Sequence, residues 1–155
     1  MKDFVPHTES LALKELGFDY PCMVAHLEGF IVWFGLDDRT VKINLNEGAD
    51  CLIPTYSQAC RWFRKKYNLV HNISFTKWKG GINFDYDVYS LILPTDSELG
   101  DENDIASDRF LETYDSLVDK DFKHNEFDTY EEAELACLKN LIEIVKQQQN
   151  ETNKN

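Results

Sequence analysis

The sequence predicts an α+β domain, in which an antiparallel sheet made of a meander and a hairpin carries helices on one face, arranged as two sheet-then-helix units. Three observations predict it. Thr129, three residues ahead of Glu132 in Phe127-Asp128-Thr129-Tyr130-Glu131-Glu132-Ala133, is a capping box, which pairs backbone N–H groups that a helix start leaves open. Leu138, Leu141, Ile142 and Val145 then recur at i, i+3, i+4 and i+7, the apolar stripe of a helix of about five turns. Thr55-Tyr56-Ser57-Gln58-Ala59 opens a second helix in the same way, and short runs of β-formers precede each start. The repeated opening fits an internal duplication and equally the independent use of a common helix start.

Taken in order, residues 1–7 form an extended lead-in, since Pro6 disfavours helix immediately before it. Thr8 or Glu9 starts a short helix with Leu11, Leu13 and Leu16 as apolar contacts, and Gly17 stops it. Strands follow at 22–27, 30–34 and 41–45, separated by Glu28-Gly29 and by Asp37-Asp38-Arg39-Thr40, and residues 46–50 form a loop. Pro54 positions the helix over 56–67, whose inner face is Ala59, Trp62, Phe63 and Tyr67. Two alternating strands, 71–78 and 82–89, then flank Lys79-Gly80-Gly81, with Leu91-Ile92-Leu93 extending the second towards Pro94. On that strand Ile82, Phe84, Tyr86 and Val88 share one face and Asn83, Asp85 and Asp87 the other, which leaves one side wet.

Residues 95–120 are an acidic insert with nine carboxylates against Arg109 and Lys120, a net charge of −7. Phe110, Leu111, Tyr114, Leu117 and Val118 are spaced for a helix over 107–118, and the rest of the insert reads as a mobile loop. The expected organisation is thus one domain over 1–147 that contains this insert, with a disordered Gln/Asn-rich tail at 148–155.

Composition bounds the function. The chain of 155 residues is 43% hydrophobic and 13% aromatic, enough for one domain to fold without staples. Its charge of −12 opposes nonspecific contact with nucleic acid or anionic lipid and favours a protein partner with a basic surface. No apolar run reaches the roughly 18 residues that span a bilayer, and the start from Met1 to Pro6 has no signal-peptide core, so a cytoplasmic protein is expected. Cys22, Cys51, Cys60 and Cys137 are scattered without C-x-x-C spacing and read as small hydrophobes.

Two charged patches are candidates for binding. Arg61, Arg64, Lys65 and Lys66 lie on the 56–67 helix, where they could grip a nucleotide, another phosphate-bearing ligand or an acidic protein surface, or serve only as its solvated face near the C-terminus. Asp96, Glu98, Asp101, Glu102, Asp104 and Asp108 form an acidic candidate partner surface. As a mimic of a DNA backbone they would need rigid, phosphate-like spacing, which the insert's low apolar content opposes. A calcium loop at 96–101 is misplaced, with its glycine one position early and no acidic residue closing the loop. Trp78, Lys77 and Lys79 at the hairpin tip could meet nucleic acid, but Asp85 and Asp87 on the next strand repel phosphate. His7, His26, His71 and His124 fall in no metal or catalytic motif, and no Gly-rich phosphate loop precedes a helix. No catalytic, cofactor-binding or metal-ligating residue is therefore nominated, and no cofactor is expected.

The stretches Pro54 to Tyr67 and Thr129 to Val145, together with Leu11-Ala12-Leu13-Lys14-Glu15-Leu16-Gly17-Phe18-Asp19, resemble a group of small uncharacterised proteins encoded by bacteriophages and integrated mobile elements. The resemblance covers about a third of the chain and implies no activity, cofactor or site. The long insert at 95–120 departs from the pattern, where a shorter connection is expected. The expectation is a non-enzymatic phage accessory protein that binds and modulates a host or phage protein in the cytoplasm of the infected cell. The alternatives are a nucleotide or small-ligand sponge built on the basic helix, a virion component, and an acidic DNA mimic.

Overall fold

A computed structural model describes residues 2–33, 49–91, 114–116 and 126–152, and among these described residues the chain forms three helices and two antiparallel sheets. In chain order these are α1 (His7–Glu15), β1 (Val24–Leu27), β2 (Phe30–Trp33), β3 (Ala49–Leu52), α2 (Tyr56–Tyr67), β4 (Leu69–Trp78), β5 (Gly81–Leu91), β6 (Tyr114–Ser116) and α3 (Tyr130–Thr152). The first sheet has the order β2-β1-β3 and leads into α2; the second has the order β4-β5-β6 and leads into α3. This is the α+β class with the two sheet-then-helix units that the sequence predicts.

The helix ends show why the local reading works. At α2 the Gln58 N–H donates to Thr55 Oγ1 at 3.2 Å while the Thr55 N–H donates to Gln58 Oε1 at 2.9 Å, so the box is reciprocal. At α3 the Glu132 N–H donates to Thr129 Oγ1 at 3.2 Å. Helix α1 starts at His7, one residue before Thr8, because Pro6 occupies the N-cap with an extended backbone. It ends in a Schellman motif: Gly17 has φ +81°, its N–H donates to Lys14 O, and Phe18 N–H donates to Leu13 O, both at 2.9 Å. Helix α2 ends on Asn68 in the left-handed region, which turns the chain straight into β4.

Both hairpins close with two residues. Leu27 pairs with Phe30 around Glu28 and Gly29, whose φ values of 47° and 86° suit the tight turn that matches strand twist. Trp78 pairs with Gly81 around Lys79 and Gly80, and a side chain at Gly80 would run into the Trp78 ring.

Several expectations change. Ala49 and Asp50, read as loop, begin β3, because pairing of Leu52 and Cys51 with Ala25 and His26 outweighs the weak strand preference of those two residues. The strand expected at 41–45 lies outside the described residues, as does most of the helix expected over 107–118. At 114–116 the chain is instead strand β6, hydrogen-bonded to the edge of β5 through Leu91, Ser90 and Tyr89. Helix α3 runs past residue 148 to Thr152, into the stretch expected as a tail, and Thr152 Oγ1 donates to Gln148 O at 2.9 Å.

The core lies between the helices and the second sheet. Trp62 and Phe63 of α2, Leu138, Leu141 and Val145 of α3, Leu13 of α1, and Leu69 and Val88 of β4 and β5 are fully buried there. The wet and dry sides of β5 separate as expected at its inner end, where Tyr86 and Val88 are buried and the Tyr86 hydroxyl accepts from Asn140 of α3 at 3.2 Å. Towards the hairpin tip the same face is uncovered: Ile82 is exposed and Phe84 half-buried.

Candidate functional site

A cleft of about 280 Å³ opens between α2, the start of β4 and the first turn of α3. With Ala59, Trp62 and Phe63 turned into the core, the α2 positions Ser57, Cys60, Arg61 and Arg64 fall on the flank that faces α3. Asn68 then reverses the chain so that Leu69, Val70 and His71 form the floor, and Tyr130 and Glu134, one turn apart on α3, form the far wall. Two arginines, a histidine, a carboxylate and a thiol thus converge from three elements.

Their ionisation states decide what the cleft can do. Burial, reinforced by the Glu134 charge and only partly offset by Arg64, pushes the Cys60 thiol up to about 12. A thiol so protonated is no nucleophile. Burial and then the neighbouring Arg64 hold His71 below the ordinary imidazole range, so it stays neutral. Burial and then Asp3 and Glu131 raise Glu134 above the usual carboxylate range. Arg61 and Arg64 bring planar forks that match the oxygens of a phosphate or carboxylate. Cys60 and His71 therefore share a cleft without forming an activated pair, and the arrangement suits binding.

The four cations of the basic candidate patch separate. Arg61 and Arg64 line the cleft, Lys65 is exposed outside it, and Lys66 turns to α1. There its Nζ donates to Leu16 O at 3.2 Å and Gly17 O at 3.4 Å and sits 4.8 Å from the Trp62 ring centre. Lys66 therefore caps the end of α1 and does not line the cleft. The acidic candidates Asp96, Glu98, Asp101, Glu102, Asp104 and Asp108 lie outside the described residues.

A second feature is apolar. Phe30 is 74% exposed, Trp33 58%, Phe75 67% and Trp78 58%, with Ile31 and Ile82 also exposed. All six stand on β2 or on the outer end of the β4–β5 hairpin, where Phe75 and Ile82 share one face and Trp78 occupies the other. Among the described strands β2 is also an edge, so its backbone groups on one side are open to pairing.

Among the described residues, one group could hold a metal: His7, His26 and Asp50, each offering a ligand atom within 4.8 Å of the others. Sequence reasoning treated the histidines as isolated, and nothing in their spacing could join α1 to β1. The cleft residues His71, Tyr130 and Glu134 were missed for the same reason, although the i, i+4 pair Tyr130 and Glu134 opposite the i, i+3 pair Arg61 and Arg64 was a signal once the two helices were taken to pack. No protein-family model, no curated protein and no solved structure matches the chain.

Proposed function

We propose that this chain is a non-enzymatic accessory protein that binds and modulates another protein, in the setting of phage infection that the resemblance of its helices implies. The observation that carries the reading is the set of large apolar side chains on β2 and the β4–β5 tip. A tryptophan side chain of roughly 250 Å² that is 58% exposed, as Trp78 is, releases about 145 Å² on being covered, which at about 25 cal/mol per Å² favours docking by about 3.6 kcal/mol. Singly exposed apolar residues mean little, but clusters on an open strand edge mark contact surfaces. The thiols are held protonated, which further supports binding over catalysis.

The test is co-purification of the full chain from infected cells beside two surface variants, Phe30→Ser/Trp33→Ser and Trp78→Ser/Ile82→Ser. The reading expects a second protein in stoichiometric amount with the wild type, lost in at least one variant while the melting temperature is kept. A wild type that elutes alone as a monomer defeats it. A dimer abolished by either variant would replace the foreign partner with a second copy.

A second reading rests on Arg61 and Arg64 in the α2–α3 cleft, which suit a small anionic ligand such as a nucleotide. A cyclic-nucleotide panel tested by thermal shift addresses it, because a ligand bound to the folded state raises the melting temperature by mass action. Loss of that rise in Arg64→Ala is required; an unchanged rise would move the ligand elsewhere.

A further inference from the structure

A third cluster of side chains, apart from the cleft and the apolar patch, stands at the junction of α1, β1 and β3. His7 is the first residue of α1, His26 lies on β1, and Asp50 on β3. The two imidazole rings stack with centroids 3.9 Å apart and planes at 28°, and His26 Nδ1 lies 2.9 Å from Asp50 Oδ2. We propose that His7, His26 and Asp50 form a binding site for a divalent transition metal of the zinc class, with water completing the coordination.

The backbone is shaped to bring these groups together. The β1–β3 ladder pairs His26 with Cys51 and Leu27 with Ala49, so Asp50 is the extra residue of a bulge. In a regular strand Asp50 and Cys51 face opposite sides, and only one could share a side with His26. The bulge turns the Asp50 carboxylate to the imidazole, which is how bulges commonly re-aim a side chain at a site. Two further contacts fix it: the Gly29 N–H of the β1–β2 turn donates to the carboxylate, and Lys14 Nζ donates to the Asp50 main-chain oxygen at 2.7 Å.

The chemistry of the three donors selects the ion. Two imidazoles and one carboxylate suit zinc and its neighbours and are poor for magnesium or calcium, which take oxygen. At a tetrahedral zinc with bonds of about 2.0–2.1 Å, neighbouring ligand atoms lie about 3.3 Å apart. The His26–Asp50 pair opens by a few tenths of an ångström to that separation as the metal takes the place of the proton between them, and rotation of exposed His7 brings in the third ligand. The positive N-terminal end of α1 lies at His7. The same end and Lys14 oppose a cation, and the Asp50 carboxylate offsets them. His7 is exposed and the other two are partly so, which leaves the remaining coordination position open to solvent.

The experiment is calorimetric titration of the tag-free, chelator-stripped full chain with zinc chloride, beside His7→Ala and Asp50→Asn. One zinc per chain is expected, weakened at least tenfold in each variant. His7→Ala removes an exposed side chain, so its melting temperature without metal should equal that of the wild type, and loss of binding then reports a lost ligand. Cobalt(II) is the second probe: ligation by these three residues gives no intense thiolate charge-transfer band. The proposal is overturned if the wild type binds no zinc with saturation, if both variants bind as tightly as the wild type, or if the cobalt spectrum shows thiolate ligation.

Discussion

If the α2–α3 cleft binds and does not react, the native Cys60 thiol must be inert, and its pKa sets how inert. An unperturbed thiol near 9 is about 1% thiolate at pH 7, whereas one near 12 is about 0.001%, a thousandfold less of the form that attacks. The assay is alkylation with iodoacetamide at pH 7, read by intact mass and peptide mapping, on the native chain and on the chain unfolded in guanidinium. Unfolding should expose four reactive thiols, while the native protein should gain no Cys60 adduct on that timescale, since Cys22, Cys51 and Cys137 are buried as well. Between pH 7 and 10 any native reaction at Cys60 should rise about tenfold per unit without a plateau, because the thiol is still below its pKa throughout. A single fast adduct on Cys60 that levels off near neutrality and slows in His71→Ala would refute the reasoning. It would reveal a thiolate–imidazolium pair in the cleft and move an enzymatic role ahead of a binding one.

Three further predictions follow from contacts already described. Thr55→Ala should cost about 1 kcal/mol and lower the melting temperature by about 2–4 °C, and Gln58→Ala should cost less in that background than alone, because the two side chains form one box; additive losses in urea melts would deny the coupling. Lys66→Ala should lower the melting temperature and leave anion binding intact, whereas Arg64→Ala should do the reverse; equal effects on both readouts would mean that the helix does not divide its cations between capping and the cleft. Burial and Arg64 depress the folded-state pKa of His71, so below the unfolded value of about 6.5 the unfolded chain binds more protons and stability is lost as the pH is lowered; above it the contribution of neutral His71 is fully kept. Urea melts at pH 5 and 7.5 should show this slope flattened in His71→Gln.

What could be read in advance was what a few neighbouring residues decide among themselves. Thr55 and Gln58 specify the start of α2 within one turn, Glu28-Gly29 and Lys79-Gly80 specify two-residue turns, and Leu138, Leu141 and Val145 specify the buried face of α3. Where a distant partner decides, the sequence misleads. Ala49 and Asp50 are weak strand formers and join a sheet because β1 offers them a ladder, and Tyr114 to Ser116 pair with β5 where the apolar spacing suggested a helix. The cleft is of the second kind: Arg61 and Arg64 were visible as charges, but their meeting with His71, Tyr130 and Glu134 depends on the packing of α2 against α3. So does the fate of Lys66, which no pattern of cations distinguishes from Arg64.

The three tryptophans offer a way to tell the two binding readings apart. Trp62 is 1% exposed and edge-packed by Phe18, Phe63 and Tyr67, whereas Trp33 and Trp78 are each 58% exposed, on β2 and at the hairpin tip. A protein that docks on either hairpin must take one of those indoles out of water, and the emission should shift to shorter wavelength. Occupation of the α2–α3 cleft touches neither, because that cleft is lined by no tryptophan. Anion binding that leaves the emission unchanged, and partner binding that shifts it in the wild type but not after substitution of Trp33 or Trp78, are therefore separable in one cuvette. A partner whose binding leaves both indoles wet would mean that the exposed apolar side chains, the single feature on which the protein-binding reading stands, are not the contact.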